Sequence, residues 1–238
     1  MRRAYRTSFD VLAHALTQCH ADRISAALVL AGDPGGVIHF RDGAVIAAHS
    51  PGAPGVAALR AGAAGQSELI GAAIADAAFA IAVGSVSHYV LDDTADVLPP
   101  VVDGVSPALL LGQVAVRLAV LDASPCPVSP YRERLVATGH GDPDDELQEI
   151  VTHATGRRTA RDIAFAIGRG VHSVTVDVAR MLGDDVLAIA PAAAFTGRVH
   201  VTTATLRPRE ATPQTAVVES ADLLPVRRPG DARPGPGP

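Results

Sequence analysis

The side chains with the most chemical potential in this chain are nine histidines, two cysteines and a group of arginines between 157 and 207. His14, His20, His39, His49, His88, His140, His153, His172 and His200 form no HxH, HxxxH or HExxH spacing. Cys19 and His20 are the one adjacent soft pair, and neighbours on a helix point roughly 100° apart, too far to share a metal. The stretches SVSH (85–88) and HGDPDDE (140–146) hold Ser, His and carboxylates, but neither sits in a GxSxG elbow with a third partner. GDPGG (32–36) lacks the GK[ST] of a phosphate loop and reads as a tight turn. All 20 basic residues are Arg, so lysine-dependent phosphate binding and Schiff-base chemistry are excluded. The expectation is a protein that is not an enzyme, with no catalytic, cofactor-binding or metal residues.

The arginines suggest a different chemistry. Arg157, Arg158 and Arg161 cluster where a helix is expected to begin, and guanidinium groups beside helix N-terminal amides suit phosphate. Arg169, Arg198 and Arg207 extend the basic character, although the whole chain has a net charge of −5. In TARDIAFAIGRGVHSVTVDVARML (159–182), Thr159 is placed to cap a first helix with Ala160, Ile163, Ala164 and Ile167 on one face. Gly168 and Gly170 flank Arg169 at a corner. Val171, Val174, Val178, Met181 and Leu182 then face back toward the first helix. A second helix entering a major groove would turn His172, Ser173, Val176, Asp177 and Arg180 outward, with Asp177 repelling the phosphate backbone unless it accepts from a cytosine amine.

These residues need elements to hold them. SFDVLAHALTQCH predicts an amphipathic helix with Ser8 as its N-cap. ISAALVLAG, VIHF and AVIAAHS, separated by turns at 33–36 and 41–43, predict a three-stranded antiparallel meander. Ala-rich text from 56 onward predicts helix, a further strand follows near SVSHYVLDD, and 106–123 predicts a Ser-Pro-started helix. SPCPVSPYRERLVATGHGDPDDE reads as a linker, DDELQEIVTHAT as a helix, and VLAIA with RVHVTT (198–203) as two strands of a wing.

A length of 238 residues accommodates two small domains, and 3% aromatic content requires an aliphatic core. Two cysteines far apart signal neither a disulfide framework nor a zinc site. No export signal or membrane span is read, so a cytoplasmic location is expected.

GRRTARDIAFAIGRGVHSVTVDVARMLGDDVLAI resembles winged-helix regulators of the MarR type. The opening, through Gly36, Ile38, Phe40, Gly43, Val45 and Ala47, resembles PATAN-type domains, as do the Pro99-Pro100 loop and the Leu109-Leu110-Leu111 helix start. The resemblance implies a bacterial regulator with an input or interaction half and an output half.

The combined expectation is an α+β chain: an N-terminal α/β input domain with an antiparallel meander over 1–123, a linker over 124–143, a winged helix-turn-helix over 144–205, and a mostly disordered tail over 206–238. Its expected role is a DNA-binding transcriptional regulator that contacts double-stranded DNA through Arg157, Arg158, Thr159, Arg161, Arg169, His172, Ser173, Arg180 and Arg198. Self-association or a protein partner would use the first domain, and a homodimer is anticipated because one short helix contacts few bases. The alternative is a non-DNA-binding adaptor that uses both domains for protein contacts.

Overall fold

A computed structural model of the chain describes residues 2–60, 65–93, 104–141 and 143–191, with side chains from Thr7 onward. Over these residues the fold is α+β, with antiparallel sheets. Met1–Ala193 forms one compact unit. The tail at 206–238, the expected strand at 198–203 and the Pro99-Pro100 loop lie outside the described residues.

Helix α1 (Arg2–Ala21) is followed by the meander β1 (Ala27–Asp33), β2 (Gly36–Arg41) and β3 (Ala44–His49). Helix α2 (Gln66–Val83), strand β4 (Ser85–Asp92) and helix α3 (Pro107–Asp122) complete the first half. The sheet order is β3-β2-β1-β4, every neighbour antiparallel, so the return strand pairs with the first strand of the meander. Leu28, Leu30, Ile38, Phe40, Val45 and Ala48 are buried against Leu12 and Leu16 of α1 and Ile74, Ala78 and Ile81 of α2.

Ser8 is not the N-cap its position in the sequence suggests, because α1 starts earlier and carries it inside the helix. Its buried hydroxyl donates to the Gly84 carbonyl at 2.8 Å and accepts from the Val86 amide at 3.1 Å, fastening α1 to the start of β4. A hydroxyl is suited to this because it donates and accepts at one atom.

The second half comprises β5 (Leu135–Ala137), α4 (Asp145–His153), β6 (Thr155–Arg158), α5 (Ala160–Ile167), α6 (Val171–Gly183) and β7 (Leu187–Ile189). The stretch expected as a linker differs from that reading: it contains β5, the central strand of a sheet ordered β6-β5-β7. Strand β7, expected from VLAIA, pairs with β5. Leu135 explains the placement, since it is fully buried with Ile150, Ile163 and Leu187 in a second core.

The two cores share α2. Ile74, Ala75, Ala77, Ala78, Ile81 and Ala82 face the first, while Phe79, Ala80 and Val83 join the second with Leu121 of α3. A helix packed on opposite sides must be apolar nearly all round, and every residue from Ala73 to Val83 is buried. This helix is long and apolar enough to cross a membrane, and its place between two cores accounts for that composition. Its alanines let both layers approach closely.

Candidate functional site

Thr159 caps α5. Its side chain accepts from the Asp162 amide at 3.3 Å, and the Asp162 carboxylate accepts from the Thr159 amide at 3.1 Å, a reciprocal capping box. Gly168 ends the helix in the left-handed conformation, with φ +67°, and its carbonyl accepts from the Arg60 amide at 2.8 Å. The two helices therefore form the glycine-cornered pair the sequence predicts, with Ile163, Ala164 and Ile167 packed in one core with Val171, Val174 and Val178.

Ser173 and Arg180 of α6 are exposed as expected, whereas Val176 is not. Val171, Val174, Thr175, Val176, Val178, Ala179 and Met181 are all buried, so Val176 does not point to solvent as expected. Ser173, Asp177, Arg180 and Asp184 share the remaining strip, which spans only about 60° of the circumference at about 100° per residue. Asp177 on that strip is already engaged. Arg169 donates to Asp177 at 2.6 Å and to Ser173 at 2.8 Å, and Arg180 stands 3.9 Å from Asp177.

The start of α6 meets another element. Asp76, the lone acid in the buried part of α2, accepts from the Val171 amide at 2.6 Å and from the His172 amide at 3.0 Å. Arg117 of α3 lies 3.5 Å from the same carboxylate. The first amides of a helix have no partner within it and carry the positive end of its dipole, so a carboxylate placed there is favoured. Gly170 leaves room for it, since a Cβ at that position would come within 3.3–3.4 Å of the carboxylate. Burial pushes the Asp76 carboxyl upward, opposed by the two amides and by Arg117.

His172 was expected to face outward and instead packs its ring edge-on against Phe79, centroids 5.0 Å apart. Burial, reinforced by Arg117, lowers its pKa to about 4, so the ring is neutral near pH 7. Its Nε2 is buried and meets no hydrogen-bond partner among the described residues.

The remaining expected contact residues scatter. Arg161 donates twice to the Pro51 carbonyl, at 3.0 and 2.7 Å, pairs with Asp162 and lies 4.9 Å over the Phe165 ring. Arg158 contacts His153, and Arg157 is exposed on β6. Arg198 lies outside the described residues.

Asp76 and Arg117 were not anticipated from sequence. Their signal was present: each is a lone ionisable side chain in the interior of a long apolar helix, a position that requires a partner when buried.

Comparison with protein-family models, with curated proteins and with solved structures finds no match to this chain.

Proposed function

We propose that this protein is a non-enzymatic adaptor that acts through protein contacts, with its second half a winged-helix-like module no longer arranged to read bases. One observation carries this reading: Asp76 occupies the N-terminus of α6, the end of a recognition helix that ordinarily meets base edges and phosphate. A buried carboxylate there opposes an approaching phosphate. The strip left exposed on α6 alternates Arg180 with Asp177 and Asp184, and so offers no continuous basic path.

The order helix, strand, helix, helix, strand over α4 to β7 supports a winged-helix ancestry for the second half. The helix-flanked meander supports the PATAN-like reading of the first. In this account β5 takes the place between β6 and β7 that a wing strand would need.

A second reading, the DNA-binding transcriptional regulator, is favoured by the exposure of Arg157 and by Arg180, whose side chain is 65% exposed. Fluorescence anisotropy of the full chain against a mixed duplex pool, across a salt series, separates the two. The adaptor reading predicts no binding, or weak binding that disappears at moderate salt. Tight binding whose salt slope shrinks in an Arg157→Ala, Arg180→Ala double variant would establish the regulator instead.

A further inference from the structure

Strand β4 is one edge of the first sheet, and the two edges differ. At the far edge, Val45 of β3 exchanges both of its backbone hydrogen bonds with Val105, at 2.9 and 2.7 Å. Strand β4 pairs with β1 and, among the described residues, with no other strand. The register shows which of its backbone groups that pairing uses. The Phe40 amide donates to the Ala26 carbonyl at 2.9 Å, so Ala26, Leu28 and Leu30 turn their N–H and C=O toward β2. Ala27, Val29 and Ala31 then turn theirs toward β4, where they meet Asp92, Val90 and His88. The N–H and C=O of Tyr89 and Leu91 are left pointing out of the sheet, and no described strand meets them. Ser87 is skipped by the register shift opposite Ala31 and Gly32, and its hydroxyl turns back to the Ala31 carbonyl at 3.2 Å, which ends the regular ladder on that side.

We propose that β4 pairs antiparallel with β4 of a second copy, about a two-fold axis at Val90, joining two sheets into one. A row of unpaired peptide groups is matched by another extended backbone, and this fixes the kind of occupant. The hydrogen-bond pattern fixes the register. Outward residues must oppose outward residues, and an axis at Val90 sets Tyr89 of each copy against Leu91 of the other, so every outward group of both residues is bonded. An axis at Tyr89 would instead pair Leu91 with the bulged Ser87, and one at Leu91 would pair Tyr89 with Asp93 in the following turn.

The side chains favour the same arrangement and select a second copy. Val90 is 58% exposed and Leu91 47%, on opposite faces of the strand, and the strand holds no Lys, Arg or Pro to guard its edge. In the proposed register Val90 meets its own copy, Leu91 covers Tyr89, and His88 stands across from Asp92. Asp92 is the one formal charge on β4 with histidine taken as neutral, and in this register the two copies of it lie at opposite ends of the paired strands. Two chains of net charge −5 thus meet without opposing like charges. The paired segment is short, so the dimer is a weak one. It uses no residue of the second half, and it stands or falls separately from the adaptor reading.

Sedimentation equilibrium of the full chain from about 5 to about 500 µM tests the proposal by mass action. The wild type is expected to pass from monomer toward dimer over that range. Leu91→Pro removes an N–H that β1 does not use, and Val90→Lys sets like charges together on the axis; each is expected to weaken the dimer at least about tenfold while circular dichroism shows the monomer folded. If the proline variant misfolds, the lysine variant still tests the edge. The register is tested by cross-linking in a Cys126→Ser background, since Cys126 is exposed. Opposed residues at the axis stand about 4.5 Å apart at Cα, within disulfide reach, so Val90→Cys is expected to give a covalent dimer in oxidised glutathione. His88→Cys is expected to give none, because four residues at about 3.4 Å each separate the two introduced thiols. A wild type that stays monomeric throughout, a dimer indifferent to the folded edge variants, or equal cross-linking from positions 88 and 90 would each overturn the proposal.

Discussion

Asp76 in α2 accepts the first two amide hydrogens of α6, those of Val171 and His172, across 95 and 96 residues of sequence. The contact satisfies helix amides that have no partner inside α6, and it ties the two halves of the chain at a point neither could form alone.

Replacing Asp76 by Ala leaves the buried Val171 amide, the part-buried His172 amide and the partly buried Arg117 without this acceptor. The expected cost is about 3–5 kcal/mol, the range for removing one member of a buried charged pair. Asp76→Asn keeps one acceptor oxygen and is expected to lose less. Urea denaturation followed by circular dichroism measures both, and a loss under about 1 kcal/mol for Asp76→Ala would mean that the contact is peripheral.

The lowered pKa of His172 sets a pH dependence. Its folded value is about 4 against 6.5 for the free group, so the neutral ring is favoured in the fold. That contribution is complete above pH 6.5 and is lost as pH falls through 4. Asp76, whose carboxyl is raised by burial, acts with the opposite sign over the acid range, so the informative quantity is a difference. Thermal stability of His172→Phe relative to wild type is expected to rise steadily from pH 6.5 to 4. A constant difference would show that the ring is not desolvated.

The meander, the Ser-Pro-started α3 and the glycine corner of α5 and α6 were legible because each is written locally. Alternation marks the strands, Gly43 at φ +78° and Gly168 at φ +67° mark the turns, and three- and four-residue spacing marks the helices. What was not legible is non-local. Strand β5 is three residues long in a Pro- and Gly-rich stretch, and only its pairing with β6 and β7 makes it a strand. His172 looked outward from its place on α6 alone, and Phe79, 93 positions earlier, turns that side into core. The pairing of Asp76 with Arg117 has no periodicity to reveal it, although a lone charge in the interior of each of two apolar helices was the available sign.

The most direct test of the central claim is amide hydrogen exchange at Val171 and His172 in the native protein. First-turn amides of a helix whose end faces solvent exchange rapidly, because nothing in the helix accepts them. With Asp76 seated on them, both are predicted to exchange as slowly as the core amides of α2, through an opening that approaches global unfolding. Fast exchange at these two positions while α2 stays protected would contradict the account, and would mean that the start of α6 is free to meet a nucleic acid.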